Sequence, residues 1–492
     1  MALATAGLAA FTLVFLGKTL TIISSGIKSG WWFGIIIALL GALILLSFPI
    51  WYKAFGITLS RISLGRIGIV FMMILLLAGM PIGFAMSVVG FLGLSVISFS
   101  ITPALMTLGT APYSTVASFI LAVAPLFIFM GLLASEAGIS QDLFNTANKW
   151  LGRLPGGLAM ASVAGCSGFA AVCGDSMATA VTMGSVALPE MKRKNYSSGL
   201  ACGALAAGGT LGILIPPSIG FIFYALVTEE SVGKLFIAGM IPGILLTFLF
   251  IISILCIALI RPDLAPKGEP CSWKEKFVSL KGVIGMLILF VIILGGILAG
   301  IFSPTEGGAI GVVGSMGIMI ARKRLSWTAI KRSCDQTVSI TSRLLMILIG
   351  VGILGYFLAA SRLPFELAKL VTQNGWNRYM ILTGILVLFT LLGCLMNVIP
   401  MILLTLPAIF PTVTALGFDP IWFGVLTVII MEMGQITPPI GVNVFAISSV
   451  AEDVSMGSIF MGIVPFFICM VICLALLMIF PQLATGLVNI LY

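Results

Sequence analysis

Long apolar stretches separated by short polar breaks run through almost the whole chain. They fall at 1–17, 31–50, 64–80, 82–99, 115–135, 196–227, 233–260, 282–302, 304–321, 338–360, 419–450 and 456–480. About 20 apolar residues cross a hydrocarbon core of about 30 Å as a helix, and a helix satisfies its own backbone there. The pattern therefore predicts twelve spans, the first of them short. Two further segments, 156–191 and 376–415, are apolar but carry a polar, Gly- or Pro-marked break near the middle. Each follows a short amphipathic stretch, 140–152 or 363–374. These two segments predict helical hairpins that enter the membrane and turn back. The expected fold class is an all-α polytopic membrane protein.

The two halves repeat. LGILIPPSIGFIF around Pro216-Pro217 matches MGQITPPIGVNVF around Pro438-Pro439 at an offset of 222 residues, and Pro81 with Pro304 and Pro242 with Pro465 pair at 223. The division expected is two extra N-terminal spans in 1–63, a first copy at 64–260, a linker at 261–281 and a second copy at 282–492. Each copy would hold three spans, an amphipathic arm, a hairpin, a broken helix and a final span. Basic residues gather at 192–194, 261–281 and 322–332, which the positive-inside rule places in the cytoplasm. The uncharged loop expected at 100–112 then lies outside, and the two copies are inverted. Lys53, Arg61 and Arg66 go against the rule in this arrangement. Inverted repeats with helices broken at matching positions point to a secondary transporter with its site near the bilayer midplane.

Composition removes most other classes. The chain is 60% hydrophobic and 8% charged, against about 25% charged in soluble domains, so lipid is its main solvent. The net charge of +9 sits in short loops and calls for no nucleic acid. The nine cysteines lie mostly inside apolar runs and form no CxxC pair, and the chain has no histidine. No transition-metal site is expected. No basic region precedes the first apolar stretch, so the N-terminus reads as retained rather than as a cleaved signal.

The breaks carry the chemistry. Pro216 and Pro217 lack amide hydrogens and open the helix, freeing the carbonyls of residues 212–215. Inside a membrane such carbonyls need a partner, and a dehydrated cation suits them. Residues 434–439 offer the same arrangement, with the Thr437 hydroxyl added. The alternative is a structural kink whose carbonyls are met by Ser, Thr or water. In the first hairpin break Gly174 permits a turn, and Asp175, Ser176 and Thr179 supply oxygens. An ionisable residue in a membrane segment is a functional candidate by default; the plain reading of Asp175 is a helix N-cap. The second break offers Asn397 and Pro400, and Asn443 projects beyond Pro439. Glu432 is also intramembrane, with no role assigned by the pattern.

In combination and order, CGDSMATAVTMGSVALPEMKR (173–193), GGTLGILIPPS (208–218), GKLFIAGMIPG (233–243), SPTEGGAIG (303–311) and GQITPPIGVNVF (434–445) resemble the large membrane subunit of tripartite ATP-independent periplasmic (TRAP) transporters. The resemblance covers about 64–490. It implies an elevator transporter in a bacterial or archaeal inner membrane, coupled to sodium with a proton as the alternative. It also implies an organic-acid substrate, a periplasmic substrate-binding protein and a small four-span membrane subunit as partners. Carried over by motif, one sodium site would use Gly174, Asp175 and Ser176 with carbonyls of Gly212, Leu214 and Pro216. A second would use Met396 and Asn397 with Gly434, Ile436, Thr437 and Pro438. Substrate would lie against Ser176, Thr179, Ser218, Asn397 and Asn443. Two departures stand out. The family's first hairpin often reads Ser-Gly-Ser where this chain has Cys173-Gly174-Asp175, and an acidic residue often stands where Asn397 does. A self-sufficient anion carrier is the competing reading. An intramembrane enzyme is the third, disfavoured because there is neither histidine nor a suited aspartate pair.

Overall fold

The computed structural model describes residues 60–492 apart from 78, 118, 269–270, 367–368 and 370–376. The spans expected at 1–17 and 31–50, and most of the second amphipathic stretch, lie outside the described residues. Helices make up the rest, joined by short turns, with one isolated bridge between Pro155 and Lys267.

The first half runs α1 (Arg61–Leu77), α2 (Ile82–Ile97), α3 (Thr102–Val116), α4 (Val123–Glu136), α5 (Ile139–Leu151), α6 (Gly157–Cys173), α7 (Ser176–Arg193), α8 (Ser198–Leu214), α9 (Ile219–Thr228) and α10 (Val232–Ile260). The second runs α11 (Trp273–Leu298), α12 (Pro304–Ala321), α13 (Trp327–Ser361), α14 (Arg378–Gly393), α15 (Val398–Ala415), α16 (Pro420–Gln435), α17 (Val442–Ser448) and α18 (Met456–Ile479), and α19 (Gln482–Leu491) closes the chain. Among the described residues five helices are singly long and apolar enough to cross a bilayer, and two bent pairs bring the number to seven.

Helix starts follow from local chemistry. Ser231, Ser272, Ser326 and Ser455 each accept a backbone N–H three residues on, opening α10, α11, α13 and α18. Ser303 and Glu306 form a reciprocal capping box at the start of α12. Small residues then let backbones meet: a Cβ at Gly83 of α2 would stand 2.5 Å from the Met346 carbonyl oxygen of α13.

The loop expected at 100–112 is instead α3. Its Pro103 sits in the first turn, where a missing N–H is harmless. Thr107 and Thr110 donate their hydroxyls to the carbonyls of Pro103 and Met106 one turn back. The helix expected at 338–360 begins eleven residues earlier at Trp327, on the Ser326 cap. Helix α1 starts at Arg61, so it crosses the boundary expected at 63.

The end of α4 and the amphipathic helix α5 are anchored by charge. Arg322 bonds Asp142 at 2.6 Å and donates to the Ala137 carbonyl, and Arg332 pairs with Glu136. Lys192, at the end of α7, donates to Asp453 in the loop before α18. This partner holds the Asp453 carboxyl below its usual range. A depressed carboxylate stabilises the fold above its unfolded pKa and stops doing so as pH falls through the folded value. Asp453→Asn is therefore expected to lower the melting temperature slightly near neutrality and to match wild type only once pH has fallen below the depressed folded value of Asp453. Thermal unfolding across pH in detergent measures this. A gap that widens in acid would show that the pair is not the cause.

Candidate functional site

The hairpin formed by α6 and α7 breaks at Gly174 and Asp175. Gly174 takes φ +68°, and a Cβ there would stand 2.7 Å from the Pro217 carbonyl oxygen, so glycine is required on both counts. Asp175 accepts the Ala178 N–H at 2.7 Å and thereby caps α7. Thr179 donates its hydroxyl to the Asp175 carbonyl at 2.7 Å.

Helix α8 lies against this break through its glycine face. A Cβ at Gly212 would stand 2.5 Å from the Asp175 carbonyl oxygen and 2.7 Å from Thr179 Oγ1. Beyond the interruption, bent by 43°, α9 begins on the Ser218 side chain, which accepts the Phe221 N–H. The Ile219 N–H donates to the Gly174 carbonyl at 3.1 Å, tying hairpin to broken helix. Pro216, Pro217 and Ser218 are buried. The Leu214 carbonyl lies against Gly239 of α10, and the carbonyl that meets the first break is that of Pro217.

The second hairpin, α14 and α15, breaks at residues 394–397. Asn397 occupies the cap position of α15 without making a cap bond, and its Oδ1 is buried with no partner. Met396 is buried. Helices α14 and α16 touch at Gly393 and Gly434, where a Cβ on Gly434 would stand 2.6 Å from the Gly393 Cα. Past Gln435 the chain leaves the helix through Ile436 and Thr437, and Thr437 donates its hydroxyl to the Met433 carbonyl at 2.6 Å. Both Pro-Pro bonds, 216–217 and 438–439, are cis. The environments differ: Pro438, Pro439 and Ile440 are exposed, while Ile436 is buried.

The halves also cross over. Helix α15 packs on α9, with Val398 against Gly220. Helix α17 packs on α7, with Ile447 against Gly184. Thus each hairpin meets its own broken helix and the other one. The first break reaches Glu432 of α16 this way, since Asp175 and Ser176 neighbour that carboxylate. Glu432 is 1% exposed and accepts from Gln435 Nε2 at 3.1 Å and from Asn443 Nδ2 at 3.3 Å. Sequence reasoning left Glu432 without a role and did not single out Gln435. The available signal was an intramembrane acid one turn before a helix break, with an amide at i+3.

An apolar helical body holding two broken hairpins and two interrupted helices around buried polar groups is the construction of a membrane transporter. Residues 69–483 match the family profile described as "Tripartite ATP-independent periplasmic transporter, DctM component". The chain belongs to this family. It is 33% identical to the C4-dicarboxylate TRAP transporter large permease protein of Pseudomonas aeruginosa, over 77% of this chain and 88% of that one. It is 30% identical to the sialic acid TRAP transporter large permease protein of Vibrio cholerae, over 83% and 94%. The Alcanivorax borkumensis YdaH transporter shares the fold at a TM-score of 0.56 and 13% identity, over 77% of this chain and 87% of that one. The two TRAP relatives are permeases, and this chain is a multi-pass transporter permease rather than an enzyme.

Proposed function

We propose that the chain is the permease subunit of a sodium-coupled importer of an organic acid in a bacterial or archaeal inner membrane. A periplasmic substrate-binding protein would deliver the substrate, and a small four-span membrane subunit would complete the scaffold. The observation that carries this reading is the packing of each hairpin break against interrupted helices, here Gly174 and Asp175 against Gly212, Pro217 and Ile219. Family membership supports the rest.

In this reading the copies are inverted repeats. Both hairpins and both broken helices move together across the membrane as an elevator, and the remaining helices hold still. One sodium ion sits at Gly174, Asp175 and Ser176 with carbonyls of the α8–α9 interruption, Pro217 among them. The other sits at Met396 and Asn397 with carbonyls of residues 434–438. The unpartnered Oδ1 of Asn397 fits an oxygen-ligated cation. Freed carbonyls replace the water that sodium sheds, and half-helix N-termini such as those of α7 and α9 favour an anion nearby. An organic acid between the tips, against Ser176, Thr179, Ser218, Asn397 and Asn443, would use both. The two relatives named above take a dicarboxylate and a sialic acid, so a carboxylate is the shared group.

Proteoliposomes holding the chain and its small subunit are expected to import organic acid only with an inward sodium gradient and a loaded binding protein. Import by the chain alone would establish the self-sufficient carrier instead. Import indifferent to sodium would remove the coupling assignment.

A further inference from the structure

Glu432, Gln435, Asn443 and Ser176 form a polar pocket whose carboxylate, Glu432, neither sodium site above uses. The residues are 1%, 0%, 0% and 0% exposed, respectively. The carboxylate receives two neutral amide donors and forms no ion pair with any described residue. Burying a charge without a countercharge is strongly unfavourable. The same pocket also has too many unmet acceptors. Gln435 Oε1 and Asn443 Oδ1 are buried acceptors without a hydrogen-bond partner, and the buried Ser176 hydroxyl, bonded to no other group, lies beside the carboxylate. Native interiors leave few such atoms, and each one calls for a cause.

We propose that this pocket is a third monovalent-cation site, centred on the Glu432 carboxylate and completed by the side-chain oxygens of Gln435, Asn443 and Ser176. A half turn of each amide exchanges its nitrogen for its oxygen, presenting both amide oxygens to the side the carboxylate faces. The resulting set is oxygen only, which suits a hard cation. One carboxylate with neutral partners balances a single positive charge, which favours sodium over a divalent ion. The site also has a structural consequence. Ser176 opens α7 in the first hairpin, whereas the other three residues belong to α16 and α17. An ion here would bind the first hairpin tip to the second broken helix, so that the hairpin could not part from it while the ion stays.

The inference rests on the sodium-coupled reading, and the experiment separates the two. Equilibrium binding of radioactive sodium to the full-length chain in detergent, against a choline background, counts ions per chain. Glu432→Gln is expected to remove one sodium ion from the wild-type count, and Glu432→Asp to retain the count with weaker binding. Asn443→Leu is expected to weaken one sodium at least about tenfold, and it decides the matter if Glu432→Gln does not fold. An unchanged count and affinity in Glu432→Gln and Asn443→Leu would overturn the third site while leaving the other two standing. A wild-type chain that binds no sodium would overturn both readings. Loss of proton dependence of uptake in Glu432→Gln, with the sodium count intact, would likewise overturn the sodium assignment and mark Glu432 as a proton carrier.

Discussion

A Gly212→Ala chain is expected to reach the membrane and import at least about a hundredfold more slowly than wild type, because a displacement of about 1 Å at a site can cost that much. The added Cβ would stand 2.5 Å from the Asp175 carbonyl oxygen and 2.7 Å from Thr179 Oγ1. One of these is backbone, and Thr179 is pinned by its own bond to that same carbonyl, so neither yields by a rotamer change. Helix α8 must retreat from the first hairpin, or the hairpin tip must shift. Overpacking of this kind costs about 1–3 kcal/mol, which a large membrane fold can absorb. The ligand geometry cannot. Gly317→Ala in α12 is the control, since nothing lies within 4 Å of its Cβ position. The measurement is uptake normalised to the amount of chain in the membrane fraction. Near wild-type uptake by Gly212→Ala would mean that α8 and the first break need not touch for transport.

The positions of the interruptions were legible because proline and glycine act locally. Pro216-Pro217, Pro438-Pro439 and Gly174 mark chain breaks whatever surrounds them, and the structure interrupts its helices at each. What failed was the reading of residues whose effect depends on a neighbour one turn away. The segment 100–112, expected as an uncharged loop, is helical, and its threonines at 107 and 110 bond backward into α3. The residue types that stand at the breaks were legible, and the directions of their groups much less so. Leu214 was chosen as a ligand for its place before the Pro-Pro pair, yet its carbonyl meets α10 and Pro217 supplies the carbonyl at the break. Sequence offset treats the two breaks as equivalent, but burial does not: Pro216 is enclosed and Pro438 exposed. The crossing of α17 onto α7, which brings Glu432 to Ser176, joins residues more than 250 positions apart, and no local pattern encodes it.

Asp175 separates capping from ion ligation through a pair of substitutions. Asn and Asp cap helices about equally well, whereas Ala at an N-cap costs about 1 kcal/mol. If the 2.7 Å bond from the Ala178 N–H were the whole role of the side chain, Asp175→Asn would import like wild type and Asp175→Ala would be slightly less stable. The expected result is different. Asp175→Asn should unfold at the wild-type temperature, because the amide oxygen can accept the same N–H. It should also need far more sodium for half-maximal uptake, because a charged ligand has become neutral. Replacing a charge-assisted contact with a neutral one at this half-buried position is worth about 2 kcal/mol, or roughly thirtyfold in sodium affinity. Asp175→Ala should show the same sodium defect with a lower melting temperature added. Sodium titrations of uptake and thermal unfolding of the same three chains supply both readouts. If Asp175→Asn keeps the wild-type sodium dependence, the carboxylate is a cap alone, and the first ion is held by main-chain oxygens, among them the Pro217 carbonyl that Gly174 leaves room for.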